Sequence, residues 1–410
     1  MMTRISWLIM PMVVFLMSAC HKDKGGSTDL DGYNHGTFGY DLKFLLEKDD
    51  SLILLESTVG NAKVAVSPKY QGKVFTSSAD GLDGKSFGWI NYEAFDQPLD
   101  PHMNAYGGEN RLWLGPEGGQ YSVFFGPGDK MEFENWVTPP AVDYESWEAV
   151  SQTPQHVSMQ KEGVFPNYLG TEFNIRINRD VRILEIHEIQ EMLDIELEDD
   201  PIQVVAYETD NTITNIGGNA WTKASGAPCI WILDMFTPSP HTTIVIPYHE
   251  TGETKVATTD YFGEIPQDRI AYHNGVLFFK ADGKHRGKLG MGPERAKPVA
   301  GSFDAADNVL TLTVFDVDPD AVYLNQEWTT ANDPLQGDAV NAYNDGPLED
   351  GSQMGPFYEL ESVSPAAFLK PGEKLRHRHS VFHFVGDKEV LNRISLRNLG
   401  VSLEEIRTVF

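Results

Sequence analysis

From residue 50 onward, short apolar or period-two runs alternate with clusters of Gly, Pro, Asn and Asp. Punctuation of this kind predicts strands rather than helices. Leu52–Leu55, Lys63–Val66, Lys73–Thr76, Arg111–Leu114 and Tyr121–Phe125 form the first group. Phe173-Asn174-Ile175-Arg176-Ile177 alternates strictly, as a half-buried strand does. Further runs fall at 202–207, 229–236, 242–247, 275–280, 308–316 and 375–384. Helical signals are few. Leu42, Leu45 and Leu46 give one apolar face to a helix over Tyr40–Glu47, and residues 187–194 read as a second. Asp387 and Ser402 are N-cap candidates for helices over 388–397 and 403–409. Many short strands with turns between them predict a mainly β fold, a large antiparallel sandwich. No composition break or fixed-period repeat divides the body, and the Asn-, Asp- and Gly-containing region 329–356 reads as a long functional or lid-like loop.

The N-terminus departs from this pattern. Arg4 precedes a short apolar run, Ile5–Met17, and Ser18-Ala19 place two small residues before Cys20. The run is too short to span a bilayer and has the layout of a secretory signal. A cysteine at the cleavage point resembles a lipobox, with Met17 where leucine is usual. The expectation is a signal peptide over residues 1–19, lipidation at Cys20, a polar tether over 20–36 and a domain over 37–410. The expected location is the cell envelope, lipid-anchored to a bacterial membrane, with the domain in the periplasm or at the cell surface. Cys229, the other cysteine, sits in apolar Pro228-Cys229-Ile230-Trp231 and reads as a small buried hydrophobe. A formal charge of −28 opposes binding to nucleic acid and other polyanions and tolerates neutral sugars.

Three segments carry candidate chemistry. In Gly107–Gly119, period two puts Arg111 and Trp113 on one face and Leu112 and Leu114 on the other. An indole beside a guanidinium makes a sugar platform; equally, Trp113 could be core and Arg111 paired with Glu109 or Glu117. In Pro356–Ser362, an extended chain sets Glu359 and Glu361 side by side. Repulsion between them can raise one pKa and create a general base, or the pair can be an exposed acidic edge. In Leu375–Phe384, His377, His379 and His383 share one side of a strand, with Arg376, Arg378, Phe382 and Phe384 on the other. Imidazoles so spaced could bind metal, donate a proton, hold sugar hydroxyls or satisfy local hydrogen bonds. No paired cysteines, HExxH run, phosphate loop, dinucleotide fingerprint or nucleophile elbow is present, so no metal and no cofactor is expected.

Taken with Tyr70–Ser77, Gly88–Tyr92, Asn341–Pro347 and the Pro371-Gly372-Glu373 turn, these segments resemble the galactose-mutarotase-like (aldose 1-epimerase-like) superfamily, in a branch of uncharacterised bacterial lipoproteins. The resemblance implies a β-supersandwich, two large antiparallel sheets with a carbohydrate site on a concave face. It implies a carbohydrate ligand and an epimerase-like activity. Leu360-Glu361-Ser362 ahead of Pro371-Gly372-Glu373 is similar to the Leu-Glu-Thr-Gln context that holds the family's general base, so Glu361 inherits that role. Arg111 corresponds to an early sugar-holding arginine, with Trp113 and Glu117 beside it. Where mutarotases carry an Asn-His-x-x-Phe-Asn run, this chain has Asn215-Ile216-Gly217 and lacks the histidine. His379 or His377 would then replace it as the acid, with His241 a weaker candidate. A non-catalytic lipoprotein that captures glycan is the alternative expectation.

Overall fold

The computed structural model describes residues 32–197, 201–250, 255–348 and 350–410. Cys20, the expected signal peptide and most of the expected tether lie outside the described residues. The fold is mainly β, with two large antiparallel sheets and few short helices. One sheet has eight strands in the order β1 (Ile53–Glu56), β2 (Lys63–Ser67), β3 (Lys73–Ser78), β4 (Asn110–Gly115), β9 (Cys229–Phe236), β17 (Tyr358–Val363), β16 (Val340–Asn344) and β13 (Gly287–Met291). The other has ten. Its order is β11 (Ile270–His273), β12 (Val276–Lys280), β10 (Thr242–Pro247), β14 (Val299–Asp304), β15 (Val309–Phe315), β18 (Lys374–Gly386), β8 (Ile202–Asn215), β7 (Glu172–Ile183), β6 (His156–Pro166) and β5 (Glu148–Gln152).

The predicted alternation holds where it matters. Along β7 exposed or half-exposed residues alternate with buried Phe173, Ile175, Ile177 and Val181. Leu112 and Leu114 of β4, Ile230 and Ile232 of β9 and Leu360 of β17 fill the space between the sheets. Phe382 and Phe384 of β18 face the opposite way. They pack, with Leu310 and Phe278, under α2 (Ile186–Leu193), α3 (Lys388–Asn398) and α4 (Leu403–Thr408). Asp387 and Ser402 cap α3 and α4 as predicted. The ten-stranded sheet is therefore covered on both faces from β12 to β8, while the outer face of β7, β6 and β5 is exposed or half-exposed. The outer face of the other sheet is covered over β2 and β3 by α1 (Phe38–Lys48), through Phe38, Leu42 and Leu45 against Ala65 and Phe75. Beyond that, β4, β9, β17, β16 and β13 present side chains to an open hollow.

Some expectations need correction. Leu46 is exposed, because the buried stripe of α1 runs through Phe38, Asp41, Leu42 and Leu45 and leaves position 46 at its edge. Tyr121–Phe125 is buried but forms no strand: Ser122 and Val123 donate to the carbonyls of Gly119 and Pro116, folding the run into a turn. Region 329–356 is not a single loop, since β16 runs through it. The sequence pattern also missed β5, β6, β11, β13 and β14. β13 is Gly-Lys-Leu-Gly-Met, whose glycines mask a strand that is fully buried by its neighbours.

The space between the sheets is not uniformly apolar. His379 bonds Asp234 at 2.7 Å and Ser362 at 2.8 Å, His377 bonds Ser362 at 2.8 Å, and His383 bonds Glu109 at 3.1 Å and Thr311 at 2.8 Å. Each ring is buried and hydrogen-bonded through at least one nitrogen, and His377 Nδ1 has no hydrogen-bond partner among the described residues. Burial, aided by neighbouring His379, pushes the His377 imidazole down to about 3. Its folded value thus lies below the free histidine value of about 6.5. The contribution of the neutral ring is complete above pH about 6.5 and is lost as acid protonates the unfolded chain first. We expect urea denaturation at pH 7, 6, 5 and 4 to show falling stability, with His377→Gln flattening the slope by up to about 1.4 kcal/mol per pH unit. Equal slopes for the two proteins would refute this.

Candidate functional site

Period two on five neighbouring strands builds the floor of the hollow. In β4, Asn110, Leu112 and Leu114 turn inward, so Arg111 and Trp113 turn outward. β9 contributes Trp231, Leu233 and Met235 by the same alternation. In β17, Leu360 and Ser362 point between the sheets, which leaves Glu359 and Glu361 on the outer face. Antiparallel register aligns Met235, Glu359, Tyr343 and Lys288 in one row and Arg111, Leu233 and Glu361 in the next.

The charges then pair diagonally. Arg111 bonds Glu359, and the Lys288 ammonium lies 3.2 Å from Glu361, whose same oxygen accepts the Trp231 indole N–H at 2.8 Å. Lys288 also sits 4.5 Å over the Trp231 ring, and the Arg111 guanidinium 5.1 Å over Trp113. Both carboxylates are buried, which two like charges tolerate only with cations this close. Burial foremost, and then Glu361, hold the Glu359 carboxyl well above the ordinary carboxylate range, while Arg111 pulls it down. Burial likewise raises Glu117, with Lys288 opposing, and Lys288 itself is raised because Glu361 and Glu117 outweigh its burial. Buried polar atoms here without a hydrogen-bond partner among the described residues include Glu361 Oε1, Arg111 Nε and Trp136 Nε1.

The hollow has two connected chambers. An inner one of about 130 Å³ is lined by Arg111, Trp113, Glu117, Trp231, Lys288 and Glu359, among others. An outer one of about 750 Å³ adds Phe133, Trp328 and Leu348, and the two share Glu117, Phe262, Arg286, Tyr343 and Met354. Glu117 reaches it because the loop after β4 docks on residues 325–328. The Gly118 N–H donates to Gln326 O at 3.1 Å, and a side chain at Gly118 would run into the Glu327 carbonyl. Aromatic faces among convergent donors and acceptors suit a ring bearing C–H faces and hydroxyl edges.

Arg111, Trp113 and Glu117 therefore meet in one place, with Glu361 one layer beneath the residues that line it, 1% exposed. The histidines do not join them. His377 and His379 sit between the sheets on β18, bonded to Ser362 and Asp234, with the floor of the hollow intervening. His241 is exposed at the start of β10 in the other sheet. The strand parity that groups the histidines also turns them inward, so they are removed from candidacy as the acid. Arg111 pairs with neither Glu109, which bonds Ser77 and His383 inside, nor Glu117. Sequence reasoning missed Lys288, Arg286, Trp231 and Tyr343. The Trp231-x-Leu233-x-Met235 alternation was a readable signal, whereas a lone lysine between glycines offered none. Cys229 is buried, and burial pushes its thiol up to about 12, so it is an inert core residue.

In architecture the chain is similar to several solved structures. The Slr1438 protein of Synechocystis sp. PCC 6803 matches with 13% identity and a TM-score of 0.49, over 82% of this chain and 96% of that one. A galactose mutarotase-like protein from Lactobacillus casei ATCC 334 matches with 11% identity and a TM-score of 0.47, over 81% and 99%. A galactose mutarotase related enzyme from Lactobacillus acidophilus matches with 9% identity and a TM-score of 0.43, over 82% and 97%. No curated protein matches the chain. One family model covers nearly all of it, over residues 36–410, and the chain belongs to that family, the family of unknown function DUF6786.

Proposed function

We propose that this protein recognises carbohydrate at the bacterial cell envelope, to which Cys20 anchors it, and that a sugar ring occupies the inner chamber. The observation carrying this reading is the convergence of Arg111, Lys288, Glu359 and Glu117 on a chamber walled by Trp113, Trp136 and Trp231. Indole faces would stack on the ring, and charged groups would bond its hydroxyls, which is where specificity arises. The unpartnered Arg111 Nε and Trp136 Nε1 are donors that such a ligand would satisfy.

Anomeric epimerisation is the second reading, and the carboxyl pair is the observation that favours it. Opening an aldose needs a base at the anomeric hydroxyl and an acid at the adjacent ring oxygen. In this reading Glu361 takes the base's part through its unpartnered oxygen. Glu359, whose affinity for a proton is raised by burial, takes the acid's part in its protonated form, in place of a histidine. The base role requires the ligand to reach one layer below the residues that line the chamber, so Glu361 has a rival role: fixing Lys288 and Trp231 in position.

Calorimetric titration with neutral mono- and disaccharides should find binding, and Glu359→Gln should weaken it about tenfold or more, the usual size of one lost charged hydrogen bond. A panel with no binder would sink the carbohydrate reading. On the epimerase reading, polarimetry of freshly dissolved bound sugar should show accelerated anomer exchange. Glu361→Gln should slow it by about 10²-fold or more with affinity retained. The acceleration should also decline on the alkaline side of the ordinary carboxylate range, because a proton donor with raised pKa is lost as pH rises. Loss of affinity in step with rate would make Glu361 a positioning residue instead. Cys20→Ser should move the full-length protein from the membrane to the soluble fraction; retention in the membrane would overturn the anchor.

A further inference from the structure

The outer chamber is far larger than the inner one, about 750 Å³ against about 130 Å³, and its chemistry differs. Four large apolar side chains line it while remaining open to water: Phe133 at 58% exposure, Leu348 at 47%, Met354 at 43% and Phe262 at 38%. Single exposed apolar residues are ordinary on a protein surface; four around one opening are not. Phe133 stacks in series with Trp136 and Trp328, with centroids 6.1 and 6.0 Å apart and planes within 21° and 24°. The Arg286 guanidinium carbon lies 3.8 Å over the Phe262 ring centre, so the apolar ring backs the charge. The inner chamber, by contrast, holds the buried ion pair Arg111–Glu359 and Lys288.

We propose that the ligand is a glycoside with an apolar aglycone: its sugar ring sits in the inner chamber and the aglycone, an alkyl or lipid-like chain, lies along the outer one. This inference rests on the carbohydrate-recognition reading and extends it to a ligand class; a glycoside has no free anomeric hydroxyl, so it is a ligand for recognition and not a substrate for anomeric epimerisation. The polar-to-apolar gradient runs from the buried charges, past shared Tyr343 and Met354, to the exposed rim, which matches an amphiphile laid head inward. A free monosaccharide leaves the rim in water. A longer glycan is the competing occupant, because Asp260, Glu327, Asn332 and Gln353 also line the outer chamber.

The test is calorimetric titration with methyl, butyl, hexyl and octyl glucosides, galactosides and mannosides below their micellar concentrations, beside the corresponding disaccharides. Affinity should climb about fourfold per added methylene until the chamber is filled, the ratio expected for burying each one. Phe133→Ser and Leu348→Ser, both at exposed positions, should abolish most of that climb, and Leu348→Ser, which lies outside the lining of the inner chamber, should leave the methyl glycoside unchanged. Binding of methyl glycosides with a flat chain-length series would overturn the aglycone proposal and leave the carbohydrate reading standing. A disaccharide that binds more tightly than the octyl glycoside would also overturn it, in favour of a second sugar subsite. A climb that survives both substitutions would overturn the assignment to this rim. Failure of every glycoside and disaccharide to bind would end both readings together.

Discussion

Two carboxylates side by side on a buried strand face must each be met by a cation, and the open face of the eight-stranded sheet is organised around that need. Glu359 and Glu361 are two residues apart on β17, so β-geometry alone makes them neighbours. Desolvation would neutralise them if nothing answered, at a cost of several kcal/mol per ion. Arg111 answers from β4, two strands away on one side, and Lys288 from β13, two strands away on the other. Removing either cation would leave a charge stranded, so the two pairs tie three strands, β4, β17 and β13, into one electrostatic unit. The site is therefore part of what holds this face of the sheet in order.

A second polar system lies on the other side of the same strands. Ser362 accepts or donates between His377 and His379, Asp234 holds His379, and Glu109 holds His383. The two systems share strands β4, β9 and β17 but not space. One residue's difference in strand position decides which side of the sheet a group serves: Glu361 belongs to the hollow and Ser362 to the interior. That parity is why the histidine cluster, chemically the most suggestive run in the chain, is structural here. The interior layer is hydrogen-bonded in detail, which gives the two sheets a specific mutual register that an oily core would specify less sharply.

The remaining faces are accounted for by cover. Helices α2, α3 and α4 shield the outer side of the ten-stranded sheet from β12 to β8, and α1 shields one end of the other. What stays open is the stretch from β4 to β13, walled by loops that include both halves of the region between 329 and 356. Loops on a rigid sheet are where ligand contacts are readily built. The mixture of indoles and paired charges at the floor and apolar side chains at the rim gives this opening its chemical direction.

How much was legible varied with the range of the physics involved. Alternation, turn residues and caps are local, so the antiparallel sandwich, the strand faces of Arg111 and Trp113, and the caps Asp387 and Ser402 could be read from the chain. The pairing of Glu359 with Glu361 could be read too, because a period of two needs no partner. Strands with few apolar residues, such as Gly287–Met291, could not, since their extended form is imposed by neighbours distant in sequence. The partners of charged groups also lay beyond reach: Arg111 is 248 residues from Glu359, and nothing local prefers it over Glu109 or Glu117. The sequence by itself determined which side chains share a face. Only the tertiary structure decided which face is open, because burial depends on what packs against a sheet. By covering His377 and His379 between the sheets and leaving Arg111, Lys288 and Glu359 at the hollow, packing separated groups that strand parity alone treats alike.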